Sequence, residues 1–293
     1  MHFFLFPGQG SQALGMGHDF YEQDGDSKAL FETAESIIGA GFLDTLFGED
    51  GDALNHTRMA QPALLTVETV ITQYLKRKGI NPAGCAGHSL GEISALVAAG
   101  VVNFEDALAF TKERARLMSE DVPEGGMAAV MGMEPAAIEA ALPEGAQVAN
   151  FNSPAQTIIS GSKEGIEAAA TVLKEAGAKR VMPLKVSGPF HSEFMRPAAE
   201  AFAKVIADVP FAAPECIFVS SVTGQSKTDP ESVRAALSAQ LYSPVRWIDV
   251  MQATDATQAL EVGPGKVLAG LAKRIDGAPE VTGVATLEAA EAL

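Results

Sequence analysis

The chain has 293 residues, 47% of them hydrophobic, a formal charge of −16 and two cysteines. That length and apolar content suffice for a large core in one or two domains, and no apolar run approaches the ~20 residues needed to span a bilayer. The acidic balance argues against nucleic acid and anionic membranes as partners; Cys85 and Cys216 have neither framework nor metal spacing, so both are expected to be buried and reduced in a cytoplasmic protein.

The first residues, Met1 to Phe6, are too short and too uncharged for a leader and read as a first strand. Pro7-Gly8-Gln9-Gly10-Ser11-Gln12 follows. Gly8, Gly10 and Ala13 match a dinucleotide fingerprint only loosely, because Pro7 interrupts the turn and no acidic residue closes a second strand. The better reading is a glycine-rich loop whose backbone N–H groups face a site, with Gln9 at its tip. Residues 27–47 have helical character broken by Gly39 and Gly41. His56 reads as a surface histidine in a polar loop. Gln61-Pro62 is expected to open a helix, with Pro62 at a tolerated early position. Its apolar face is Ala63, Leu64, Val67, Val70, Ile71 and Tyr74, and Lys76-Arg77-Lys78 reads as its solvated end.

Gly87-His88-Ser89-Leu90-Gly91 comes next, after a short apolar run and before Ile93–Ala99, which reads as a helix. G-x-S-x-G between strand and helix is the setting of a nucleophile elbow. Its glycines permit a sharp turn, Ser89 is lifted out of it, and the Leu90 N–H lies at a helix N-terminus where it can face an oxyanion. The Gln9 loop supplies the second donor that such a site requires. Asn103 is expected to cap the following helix, with Glu105 and Asp106 in its first turn. Phe104, Ala107, Leu108, Thr111, Ala115 and Met118 form its inward stripe, and Arg114 falls on that stripe, whereas Arg116 lies on the polar face with Glu113 and Glu120. A buried guanidinium needs an anionic partner, either a structural Glu or a substrate carboxylate, and spacing does not choose between them.

Beyond Pro123–Gly126 the pattern becomes strand (Met127–Met131), helix (Pro135–Ala141), strand (Gln147–Asn150), strand (Thr157–Ser160), helix (Lys163–Ala176) and strand (Arg180–Pro183). This βαββαβ order predicts a small ferredoxin-like domain over 125–185, inserted into a large α/β-hydrolase-like domain of residues 1–124 and 186–293 with a parallel-sheet core. The insert has five basic and six acidic residues, so it carries only −1 of the total −16. An acidic partner would approach there most readily, through Lys174, Lys179, Arg180 or Lys185. Among the five histidines, His2 falls in a strand, His18 and His56 in loop-like segments, and His88 in the elbow itself. His191, after Gly188-Pro189-Phe190, has the setting of a base delivered from a distant loop. The only aspartates between Ser89 and His191 are Asp106 and Asp121, at a helix start and a helix end. A Ser-His dyad, its imidazole held by a carbonyl or amide, therefore fits better than a triad. Ile217–Val222 reads as a strand, Ser232–Leu241 as a helix and Ala259–Val262 as a late strand. Gly263-Pro264-Gly265-Lys266 lacks Walker A spacing. No repeat and no metal-ligand cluster is apparent.

FPGQGSQ (6–12), QPALL (61–65), GHSLGE (87–92), RARLM (114–118), NFNSP (150–154), GPFH (188–191), QLYSPVRW (240–247) and EVGPGKVL (261–268) together resemble the malonyl-CoA:acyl carrier protein transacylases of bacterial fatty-acid synthesis, relatives of polyketide-synthase acyltransferase domains. The resemblance runs almost end to end. It implies ping-pong transfer of malonyl from malonyl-CoA to the phosphopantetheine thiol of acyl carrier protein, with Ser89 as nucleophile and His191 as base and no metal or cofactor. It further implies an oxyanion hole from Gln9 and Leu90, Arg114 on the malonyl carboxylate, the Gln240 carbonyl orienting His191, and Gln61, His88, Asn152 and Phe190 lining the substrate pocket. Phe190 resembles the malonyl-preferring pattern of related acyltransferases. A discrete polyketide acyltransferase, or a serine thioesterase or esterase, is the competing expectation.

Overall fold

The computed structural model describes residues 2–120, 122–186 and 188–293. The described strands are β1 (His2–Phe6), β2 (Pro82–Gly87), β3 (Gly126–Met131), β4 (Ala146–Ser153), β5 (Gln156–Gly161), β6 (Arg180–Pro183), β7 (Ile217–Ser220), β8 (Gln225–Lys227), β9 (Gln258–Val262) and β10 (Glu280–Val284). They form a six-stranded sheet in the order β10-β9-β1-β2-β7-β8 and a four-stranded sheet in the order β4-β5-β3-β6.

The larger sheet is parallel from β10 to β7, with β8 as an antiparallel edge. Its central strand shows why both faces must be covered. Successive side chains of a strand point to opposite faces. In β1, Phe4 and Phe6 enter the main core with Val67 and Leu90, while Phe3 and Leu5 pack on the other side with Val219, Trp247 and Leu268. The chain fills one side of β1 with β2 and β7, then returns to fill the other with β9 and β10. Such a reversal opens a crevice at the carboxyl ends of the strands. The turns after β1, β2, β7 and β9 all emerge on that edge.

The smaller sheet is antiparallel throughout. Its elements follow the expected strand-helix-strand-strand-helix-strand order, with boundaries within three residues of those read from the sequence. Ala128, Val130, Val148 and Ile159 face the helices Pro135–Ala141 and Lys163–Glu175 through Ile138, Ile166 and Leu173. Met127, Ala129, Ala149 and Ile158 face the main core instead. Backbone bonds from Phe151 N–H to Val245 O and from Val245 N–H to Ala149 O, both 2.8 Å, tie the two sheets' surroundings together.

Several expectations need correction. The helix expected to open at Gln61-Pro62 runs from Thr57 to Arg77, so Pro62 lies inside it and the carbonyl of Arg58 loses its i+4 donor. Burial of Thr57, Ala60 and Gln61 extends the helix through a segment that has no start signal of its own. His56, just outside its N-terminus, is exposed as expected of a surface histidine, whereas His18 begins a short helix (His18–Gln23) rather than lying in a loop. The basic end is not merely solvated: Arg77 pairs with Asp24 and Asp26, and Lys76 Nζ donates to Ala98 O at 2.7 Å. Cys85 is buried, but Cys216 is only half-buried; both are free, with sulfurs 3.7 Å apart. The strand expected over Ile217–Val222 stops at Ser220, and the helix expected over Ser232–Leu241 runs from Pro230 to Ala239.

Candidate active site

Ser89 stands at the turn between β2 and the helix Gly91–Ala98, with φ at 52°. A non-glycine residue in that region is strained and is held only where its surroundings dictate it. Here they do. A Cβ on Gly87 would come within 2.0 Å of Gly91 O, and one on Gly91 within 2.1 Å of Phe6 O, so both glycines are required by close backbone approach. The His88 N–H donates to Phe6 O at 2.9 Å, which locks the elbow to the end of β1 and sets the Gln9 loop beside it. The Gly91 and Glu92 N–H groups bond back to His88 O and Ser89 O, while neither the Gln9 nor the Leu90 N–H meets an acceptor among the described residues.

His191 arrives from the segment before the short 3₁₀ turn Glu193–Met195, also with positive φ (58°). Its N–H donates to Leu241 O at 2.9 Å. Its ring Nδ1 lies 3.0 Å from Gln240 O and 3.1 Å from Ser243 O. Two carbonyls can only accept, so Nδ1 carries the proton and Nε2 presents its lone pair to Ser89 Oγ, 2.8 Å away. The imidazole is 4% exposed. Burial above all, and then the positive charge of Arg114, push its pKa down to about 3, so it rests neutral. Asp106 is spent on the Asn103 cap, and Asp121 lies outside the described residues. The Ser89 hydroxyl and the His191 ring thus lie within hydrogen-bonding distance, with two carbonyl oxygens on the ring's other nitrogen.

Arg114 is fully buried in the helix Phe104–Leu117. Its guanidinium donates to Gln61 Oε1 at 2.6 Å, Gln240 Oε1 at 2.7 Å and Ser89 Oγ at 3.3 Å, and its Nε has no partner. Among the described residues it makes no ion pair with any carboxylate, and burial lowers its pKa to about 10, leaving it charged. Gln240 is set by what it bonds: its amide N–H groups go to Ser89 O (3.0 Å) and to Glu92, and its Oε1 faces the guanidinium. Gln61 Nε2 reaches Gln9 Oε1 at 3.4 Å. His88 Nε2 lies 2.9 Å from Asn152 Oδ1, and its ring packs tilted against Trp247. Phe190 is buried in the main core.

The structure thus brings Gln9, Gln61, Ser89, Leu90, Arg114, His191 and Gln240 around one point, with His88 and Asn152 alongside. Sequence reasoning missed three members: the Gln240 side chain, Ser243 and Glu92. Glu92 reads in sequence as an acidic residue in the first turn of a helix, which is unremarkable. Lys179, Arg180 and Lys185 are exposed on or next to the edge strand β6, Lys174 is exposed in the helix Lys163–Glu175, and none makes an ion pair among the described residues.

The sequence matches the family described as acyl transferase domain over residues 3–269. It is 44% identical to the malonyl CoA-acyl carrier protein transacylase of Bacillus subtilis (strain 168), over 93% of this chain and 90% of that one. Its fold superposes with a TM-score of 0.94 on an acyl carrier protein S-malonyltransferase from Vibrio cholerae, 41% identical, covering 99% and 98% of the two chains. A malonyl-transacylase solved in complex with its type II PKS acyl-carrier protein is also similar, with TM-score 0.93, 38% identity and coverage of 99% and 98%. The chain belongs to the acyl transferase domain family, among its malonyl CoA-acyl carrier protein transacylases.

Proposed function

We propose that this protein transfers malonyl from malonyl-CoA to the phosphopantetheine thiol of acyl carrier protein through an ester on Ser89. The observation that carries the reading is a buried guanidinium that pairs with no carboxylate among the described residues, 3.3 Å from the hydroxyl that a neutral histidine activates. A cation in that position prefers an acyl group ending in its own carboxylate, two carbons beyond the carbonyl under attack.

His191 Nε2 takes the Ser89 proton as Oγ attacks the thioester carbonyl. Nδ1–H keeps its two carbonyl acceptors and supports the imidazolium. The oxyanion forms against the Leu90 and Gln9 N–H groups. Collapse expels the coenzyme A thiolate, which takes the proton back from Nε2. The carrier thiol then gives its proton to Nε2 and attacks the ester carbonyl; collapse breaks the bond to Ser89 Oγ, which takes that proton back from Nε2, and the malonyl thioester leaves. The substrate carboxylate also offsets the positive charge of Arg114, the second cause of the weak basicity of His191. Malonyl binding therefore raises the base toward its working range.

In this reading residues 1–124 and 186–293 are an α/β-hydrolase-like catalytic domain and 125–185 a ferredoxin-like insert. The β4-β5-β3-β6 strand order, antiparallel throughout, supports the second label. Gln61, His88, Asn152 and Phe190 line or brace the acyl pocket. The carrier docks over Lys174, Lys179, Arg180 and Lys185. The site of action is the cytoplasm, in keeping with two free cysteines.

Intact-protein mass tests the scheme. Malonyl-CoA should add one malonyl to the protein and none to Ser89→Ala, acetyl-CoA should react far less, and holo acyl carrier protein should remove the adduct as it gains malonyl. An adduct that decays equally fast without carrier overturns transfer in favour of hydrolysis.

A further inference from the structure

We infer that Glu92, three residues after the nucleophile, is a positioning residue that sets the Gln240 amide and, through it, Arg114. The inference rests on the site proposed above. Glu92 is 1% exposed in the first turn of the helix Gly91–Ala98. Oε1 accepts the Ser221 backbone N–H at 3.0 Å; Oε2 accepts the Ser221 hydroxyl at 2.8 Å and the Gln240 Nε2–H. The backbone N–H and the amide N–H donate to it and the hydroxyl can do so too, so its partners favour the carboxylate, against burial, which raises its pKa from the ordinary range. It is thus a buried negative charge separated from the buried positive charge of Arg114 by one amide.

That amide has two orientations. In the one present, its oxygen faces the guanidinium and its N–H groups face Glu92 and Ser89 O. Flipped, it would put NH2 against a cation and a carbonyl oxygen against a carboxylate. The charge of Glu92 forbids the flip, and each charge polarises the amide in the sense that strengthens the other bond. Ser221, just beyond β7, holds Glu92 from behind. The carboxylate therefore ties the β7 end, the elbow helix and the 240–243 segment that carries both carbonyl acceptors of His191. Glu92 has no hydrogen bond to the Ser89 hydroxyl or the His191 ring; its charge acts on Arg114 across a short distance, raising the guanidinium's pKa, and its hydrogen-bonded path to Arg114 runs through Gln240.

A double-mutant cycle tests this. Glu92→Gln keeps the shape and removes the charge, so Gln240 gains access to the flipped state. Malonyl transfer should fall at least about tenfold, and the preference for malonyl over acetyl should narrow, because Arg114 loses its fixed acceptor. In a Gln240→Ala background the same change should cost less than about twofold. Equal fold-losses in both backgrounds would overturn the inference, as would a folded Glu92→Gln protein with an unchanged malonyl preference. Should Glu92→Gln fail to fold, Glu92→Asp keeps the charge, shortens the reach and enters the same cycle. Wild-type malonylation of Ser89 and the loss in Gln240→Ala alone test the underlying site. If those hold and Glu92→Gln transfers normally, only this inference fails.

Discussion

The carboxyl edge of the parallel sheet and the small antiparallel sheet are built on opposite terms. At the parallel edge two non-glycine residues sit at positive φ, and a guanidinium, an imidazole, a carboxylate and two carboxamides are buried together. Each is satisfied by a named partner or left facing the reacting point. In the small sheet the buried side chains are mostly apolar, and exposed cations stand outside, three of them on or next to its edge strand. Burying charge is costly unless it is paired, so a fold accepts that cost where chemistry needs a dry, preorganised field. Exposed cations exert weak, screened attraction, which suits a partner that must dock and leave. The first region should therefore answer substitution with large, chemically selective losses, and the second with small, salt-dependent ones.

The sharpest test is Ser89→Ala or His191→Ala. Either should lower transfer on the order of 10⁴-fold or more while leaving the fold intact, since in the proposed scheme the two side chains act as one unit. Residual transfer within tenfold of wild type would place the chemistry elsewhere. Next is Arg114→Ala. Losing a buried partner for the substrate carboxylate should cost roughly 10²-fold in malonyl transfer, against less than about tenfold for acetyl. Equal losses for the two acyl groups would reduce Arg114 to a packing residue.

Acidity gives an independent probe. With its pKa near 3, His191 is neutral and competent as a base far below the usual histidine range. Acylation of Ser89 by a neutral ester such as p-nitrophenyl acetate should therefore show no acid limb near pH ~6.5. Removing the Arg114 charge, as in Arg114→Gln, takes away the second cause of the depression. The His191 pKa then rises, and an acid limb should move up into the measured range. A wild-type limb already at the ordinary value would contradict the buried, charge-opposed imidazole.

For the small sheet, reversing Lys179, Arg180 and Lys185 to Glu should raise KM for the carrier roughly threefold to tenfold at low salt, and less at high salt. The rate of malonyl-adduct formation from malonyl-CoA should not change. A matching loss in adduct formation would move those cations into the catalytic machinery and erase the contrast between the regions.

Much of this was legible in the sequence because it is local. Gly87-x-Ser89-x-Gly91 announces a turn whose glycines are needed within a few residues, and the stripe from Phe104 to Met118 places Arg114 inward by periodicity alone. The strand-helix alternation of 125–185 is likewise written in short-range pattern. What escaped depends on contacts between distant segments. Glu92 meets Ser221 and Gln240, 129 and 148 residues away. The helix start at Thr57 is set by burial against other elements, with no cap to mark it. β10 has the alternating exposure of an edge strand and too few apolar residues to signal one.

Glu68 supplies the smallest predicted effect and the finest test of why the parallel edge buries charge. Like Glu92 it is fully buried, yet neither of its oxygens meets a partner in hydrogen-bonding geometry. Burial pushes its pKa well above the carboxylate range; the nearby Ser94 hydroxyl offsets this in part, and the charge of Glu261 adds to it. Folding therefore favours the protonated form, so the group's contribution is fully present below its unfolded pKa and is lost as pH rises through the folded one. Glu68→Met fills similar space without a proton to hold. Its melting temperature relative to wild type should climb by a few degrees between pH 5 and pH 8, with malonyl transfer unchanged. The slope with pH matters more than its offset, because any packing difference is the same at both ends. A flat difference would mean that Glu68 has a donor and is ionised as Glu92 is. A loss of transfer would mean that the charged network at the sheet edge extends one helix further than its hydrogen bonds.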